Sequence, residues 1–284
     1  MFLFQRFFTF INRFSTFVFA VFKGVSVYLE NLYQFPVIHM VLTSIIERSS
    51  GCLFIVSTPI GNMADLSPRA LDCLRSVDLV ACEDTRHTGL LLSRLGIKKR
   101  LVLYNDINET RRAPLILEVL SSGRDVALVC DAGTPGVSDP AYRVVRRAVD
   151  KGIPVLSVPG PSSVLAALVV SGLPLDRFVF EGFLPPRGMK RVKSLEALKL
   201  EPRTIVLFES PHRIVNLLET VLSVLGDREV SVSRELTKMF EETIRGTVSS
   251  VLETLKLKKP RGEYTVVLRG IGKRGSHEGP SDHV

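Results

Sequence analysis

The chain has 284 residues, 45% hydrophobic and 23% charged, which describes a folded protein with room for one large or two smaller domains and excludes an intrinsically disordered one. A formal charge of +8 suits a polyanionic partner such as nucleic acid. Cys52, Cys73, Cys82 and Cys130 have no C-x-x-C spacing and the five histidines are scattered, so no metal site and no disulfide framework is expected, and the thiols read as reduced core residues of a cytoplasmic protein.

Residues 1–50 form a Phe-rich extension foreign in composition to the rest of the chain, since ten of the sixteen phenylalanines fall there. Arg6 and Arg13 interrupt its apolar run, which leaves no stretch of about 18 uncharged residues for a spanning helix and the wrong order of regions for a signal peptide. Two readings stand open: a segment lying on a membrane surface, and an over-extended start with translation beginning at Met40.

From Cys52 onward, short apolar runs alternate with helically spaced stretches. The predicted strands of a first α/β domain, residues 51–160, are 52–57, 78–82, 100–104, 125–130 and 153–158, and their unbroken Val, Leu and Ile content suits a parallel sheet covered on both faces. Ser67 before Pro68 reads as a helix start, and Gly96, Gly123 and Gly152 read as helix stops. A second α/β domain, residues 161–270, opens with the helix 161–172 and is expected to hold a mixed sheet. Its predicted strands are 177–183, 203–209, 229–236 and 263–269, separated by helices near 190–199, 212–225 and 247–256. Residues 271–284 read as a disordered Gly-rich tail.

In a parallel sheet the loops after the strands' carboxyl ends gather on one edge, where ligands bind. Three such loops are rich in Gly and Pro: STPIGNMAD after the first strand, DAGTPGVSDP after the fourth and PGPSS after the fifth. None is a G-x-G-x-x-G or G-x-x-x-x-G-K-[ST] motif, and there is no G-x-S-x-G elbow. The edge is expected to take a small, flat, partly charged molecule.

The segments TPIGNMADLSPRAL, DLVACEDTRHTGLLLSRLGI, DAGTPGVSDPAY, VPGPSS, FEGFLP, FESPHR and SRELTK occur in this order between about Leu53 and Arg269. Together they resemble the ribosomal RNA small subunit methyltransferase I family of the tetrapyrrole methylase superfamily. The resemblance implies S-adenosylmethionine as donor in a cleft between the two domains, 2'-O-methylation of a cytidine in the decoding region of 16S ribosomal RNA, with either the RNA or the small ribosomal subunit as partner, and a homodimer. It implies donor contacts from Pro59, Asp131, Ala132, Gly133, Thr134, Pro135, Ser162 and Ser163. Glu83, His87 and Glu209 are candidates for accepting the hydroxyl proton or orienting the ribose, with Glu83 preferred. Asp84 is an alternative that could equally cap its helix.

The segment LPPRGMKRVK places Arg187, Lys190, Arg191 and Lys193 as phosphate contacts, joined by Arg86 and Arg213 from the EDTRHTG and ESPHR motifs. Two departures stand out. Asn105 and Ile107 occupy positions where relatives often carry histidines, and a further C-terminal helical segment is missing. A methylase of tetrapyrrole intermediates and a ribosome-binding relative without catalysis are the competing readings.

Overall fold

The computed structural model describes residues 50–272. The Phe-rich extension, the alternative start at Met40 and the polar tail from residue 273 lie outside the described residues.

The first sheet consists of β1 (Leu53–Val56), β2 (Leu79–Cys82), β3 (Arg100–Leu103), β4 (Val126–Val129) and β5 (Val155–Val158). All of its pairs are parallel, in the order β3-β2-β4-β1-β5. Four helices connect or flank the strands: α1 (Pro68–Ser76), α2 (Thr85–Arg94), α3 (Glu109–Ser121) and α4 (Tyr142–Asp150). Side chains alternate across a strand, so neighbours in sequence serve different cores. Leu79, Ala81, Val126 and Leu128 pack with α3 and α4. Val80, Cys82, Ala127 and Val129 pack with α1 and α2 on the opposite face. The central strands β2 and β4 are thus buried on both sides, as expected, whereas the edge strands β3 and β5 are partly exposed.

The helix starts agree with the reading of Ser67, whose hydroxyl accepts the Ala70 N–H at the head of α1. Asp84 caps α2 by accepting the Arg86 N–H. The third helix begins at Glu109, where Asn105 and Asn108 exchange side-chain to backbone hydrogen bonds of 3.0 and 3.2 Å and close the turn that launches it.

The second sheet holds β6 (Phe178–Phe183), β7 (Thr204–Glu209), β8 (Glu229–Arg234), β9 (Glu242–Thr247) and β10 (Tyr264–Leu268). Its order is β6-β7-β10-β8-β9. The pair β6–β7 is parallel and the others are antiparallel, which makes the sheet mixed. The edge strand β9 was not predicted. Helices α6 (Met189–Ala197), α7 (Ile214–Leu225) and α8 (Val248–Lys256) cover one face, around Ile205, Leu207, Val230, Val232, Val266 and Leu268. The helix α5 (Ser163–Ser171) covers the other, where Val164, Ala167 and Leu168 meet Val206 and Val267. Ile60 and Val137, from loops of the first domain, join that same cluster. The two domains therefore share an apolar seam beside the sheet edge where the glycine and proline loops lie.

Among the described residues, no helix is long and apolar enough to cross a membrane.

Candidate active site

The strand order makes β4, β1 and β5 neighbours, so the three Gly/Pro loops leave adjacent strands and can be tied to one another. Thr58 and Gly133 exchange backbone hydrogen bonds of 2.8 and 3.1 Å. The Thr58 hydroxyl donates to the Cys130 carbonyl at 3.2 Å, and the Ser57 and Thr134 hydroxyls lie 2.9 Å apart. The Thr134 hydroxyl also reaches the Pro161 carbonyl at 3.4 Å, drawing in the third loop. Gly133 has φ +84°, a left-handed conformation that a Cβ would strain.

Beside these loops lies a cleft of about 340 Å³, within the size range of small-molecule pockets. The first domain contributes Ile60, Glu83, Asp131, Ala132, Gly133, Thr134, Val137, Ser138 and Asp139, and α5 contributes Ser162 to Val164 from its start. The second domain contributes Phe183, Phe208, Glu209, Ser210, Pro211, Leu236 and the stretch Glu263 to Thr265. Of the expected donor contacts, Asp131, Ala132, Gly133, Thr134, Ser162 and Ser163 line the cleft, whereas Pro59 and Pro135 do not.

Three carboxylates share the first-domain wall. Burial raises the Glu83 pKa, with repulsion from Asp131 added and a hydrogen bond from the Asp131 N–H opposing it. Burial, with Glu83 next, pushes Asp139 up to about 6. The Oδ1 of Asp131 is buried with no hydrogen-bond partner among the described residues. A buried carboxylate oxygen left without a donor is costly unless something else supplies one. This orphaned acceptor, beside a glycine in the left-handed conformation, fits a ligand bearing hydroxyl or amino donors and a positive charge.

The other candidates are placed less uniformly. Glu209 lines the cleft but is saturated: Arg191 donates to its Oε2 at 2.8 Å, Arg213 lies 2.7 Å from its Oε1, and the Ser210 N–H donates to that oxygen at 2.9 Å. Both of its oxygens are thus engaged by cations, which leaves neither free to face a ligand. His87 is exposed on α2 and does not line the cleft. Arg86 is also exposed and turns back onto Asp84, at 2.7 Å, holding that carboxyl well below its usual range.

Arg191 corrects the expectation of a phosphate contact. Its side chain is 1% exposed and its guanidinium donates to the Pro185 carbonyl, Asn216 and Glu209, because α6 turns Arg191 inward with Leu195. Arg187, Lys190 and Lys193 are exposed, with no ion pair among the described residues. Asn105 and Ile107 lie outside the cleft, in the turn that starts α3.

The sequence reading missed Ser138, Asp139, Phe183, Phe208 and Leu236 as cleft residues, although each falls inside a motif that carried the resemblance. The stretch Glu263 to Thr265 had no such signal, being the opening of an ordinary apolar strand.

Residues 52–252 match the model of the family described as Tetrapyrrole (Corrin/Porphyrin) Methylases. The ribosomal RNA small subunit methyltransferase I of Thermotoga maritima is 50% identical over 220 residues, spanning 78% of this chain and 99% of that protein. The protein of the same name from Escherichia coli O157:H7 is 46% identical over 79% of each chain. In fold, the chain is similar to the crystal structure of diphthine synthase, with a TM-score of 0.61 at 19% identity over 77% of this chain and 90% of that one. The chain therefore belongs to the tetrapyrrole methylase family and, within it, groups with the ribosomal RNA small subunit methyltransferase I proteins.

Proposed function

We propose that the chain methylates the ribose 2'-hydroxyl of a cytidine in the decoding region of 16S ribosomal RNA, acting as a homodimer in the cytoplasm. The observation that carries this reading is the two-walled cleft with the orphaned Asp131 carboxylate on one side and an aromatic, cation-flanked wall on the other, in a chain 50% identical over 220 residues to a protein named as a ribosomal RNA methyltransferase.

The donor is S-adenosylmethionine, which when bound supplies an electrophilic methyl group on a sulfonium centre. Asp131, Gly133, Thr134, Ser162 and Ser163 would hold it: the carboxylate accepts from donor hydroxyl or amino groups, and the glycine admits a flat base close to the backbone. The acidic wall of Glu83, Asp131 and Asp139 stabilises a cation next to it. Glu83 is the group we assign to the ribose proton. Its raised pKa makes it a stronger base than an ordinary surface carboxylate, and it faces the same cleft as Asp131. Holding the hydroxyl in line supplies the larger share of the rate. Exposed Leu165 and Val169 on α5 support pairing with a second copy, which sedimentation measures.

The decisive experiment incubates the purified chain with labelled S-adenosylmethionine and small ribosomal subunits lacking the modification, then maps the methylated ribose. Label on a decoding-region cytidine is expected. Subunits that bind without acquiring label would instead make the chain a ribosome-binding relative without catalysis.

A further inference from the structure

We propose that Phe183 is the platform on which the base of the target ribonucleotide stacks, an inference that rests on the RNA-methylating reading.

Strand register aims the side chain. The strand β6 pairs with β7 through Phe180 to Val206, then through Gly182 to Leu207 and Phe183 to Phe208, so Glu181 is an extra residue in a β-bulge. Alternation along an unbroken strand would send Phe180 and Phe183 to opposite faces. The bulge restores them to the same face, the one that Val206 and Phe208 share, and this re-aims Phe183 into the cleft. Gly182 accepts the required φ of +62°, and a Cβ there would come within 2.7 Å of the Ser138 hydroxyl, a cleft residue of the first domain.

The ring that results is held on one side only. Phe183 lies 5.5 Å from Phe208, which is itself packed edge-on by Phe180 at 4.9 Å, yet Phe183 is 55% exposed. An aromatic side chain packed against one ring, itself braced by another, and left open toward a ligand cleft is a stacking surface for a planar group.

Charge decides which planar group. The first-domain wall carries Glu83, Asp131 and Asp139, which suits a cationic donor and repels phosphate. On the second-domain wall, Glu209 is neutralised by Arg191 and Arg213, and Glu263 is paired with Lys238 at 2.9 Å. Immediately after Phe183 the chain exposes Arg187, Lys190 and Lys193. Aromatic stacking followed by cations along one segment is the pattern that holds single-stranded nucleic acid. Base stacking is sequence-tolerant, so Phe183 positions the nucleotide without choosing it.

The test compares the full chain with Phe183→Leu, Phe183→Met and Phe183→Tyr, using labelled S-adenosylmethionine and unmodified small ribosomal subunits. Donor affinity is measured separately by calorimetry, which also reports folding. Loss of the π-face in the Leu and Met variants is expected to lower kcat/KM for subunits by about 5- to 150-fold, while Tyr stays within about threefold of the parent. Donor affinity should stay within about twofold in all three. Parental kcat/KM in Phe183→Leu and Phe183→Met would overturn the proposal, as would a matching fall in donor affinity, which would give the ring to the donor's adenine. Failure of the parent itself to label subunits is read before any variant and removes the RNA-methylating reading, and this proposal with it.

Discussion

Asp131 and Asp139 lie eight positions apart in one loop, yet burial sets them different tasks. The unpartnered Oδ1 of Asp131 is expected to take a donor hydrogen bond worth about 1 to 3 kcal/mol, so Asp131→Ala should weaken S-adenosylmethionine binding by about tenfold or more, measured calorimetrically. Unchanged affinity in the folded variant would leave Asp131 a loop residue only. Asp139 has its pKa pushed up to about 6 from an ordinary value of 3.8, first by burial and then by Glu83. Between those values the folded chain keeps a proton that the unfolded chain has released, so stability falls as pH rises through that window and the penalty is complete above it. The variant Asp139→Asn, which cannot ionise, is expected to be more stable than the parent at pH 8 by on the order of 1 kcal/mol and equal to it near pH 4, as read by denaturant unfolding. Asp131 was legible in the sequence because its loop is conspicuous in Gly and Pro. The saturation of Glu209 was not, because its partners come from Arg191, 18 residues upstream, and Arg213, on the turn just after β7.

At the level of the elements, Arg191 and its neighbours separate two kinds of cation. The pair with Glu209 joins α6 to the end of β7, and the bond to Pro185 fastens the loop after β6 that carries Arg187. Removing one member of a buried pair strands the other, although Arg213 still serves Glu209 here. Arg191→Met should therefore cost about 3 kcal/mol of stability without altering the salt slope of RNA binding. Replacing Arg187, Lys190 and Lys193 together by Gln should do the reverse, leaving stability within about 0.5 kcal/mol and lowering the slope of log K against log salt by about 2. Equal slopes for this variant and the parent would place those charges off the RNA path. The sequence did hold the clue: Arg191 and Leu195, with Leu198 just past the helix end, fall at helical spacing on the buried face of α6, which a reading by charge alone passes over. The strand β9 offered no such clue. Only Ile244 of its six residues is a large apolar side chain, and its existence depends on pairing with β8 across the whole register. The buried strands β1, β2 and β4 were legible because both of their faces are covered.

For the molecule as a whole, every cleft-lining residue falls between Ile60 and Thr265, and the family match begins at residue 52. A chain starting at Met40 is thus expected to bind S-adenosylmethionine with parental affinity and to methylate subunits at the parental rate, with calorimetry and label incorporation as the checks. Reduced donor affinity would give the preceding residues a part in the cleft. The two-domain architecture and the loops that form the first wall could be read from the chain, since strand-helix alternation fixes which loops share an edge. Of the second wall only Glu209 was read, because the rest depends on how a bulge turns one strand and on which loops of the first domain pack into the apolar seam. The reciprocal Thr58–Gly133 bonds fasten the donor loops to each other, so their order does not wait for a ligand. In deuterated solvent the amides of Thr58 and Gly133 should exchange slowly in the free protein, and adding S-adenosylmethionine should change their rates little.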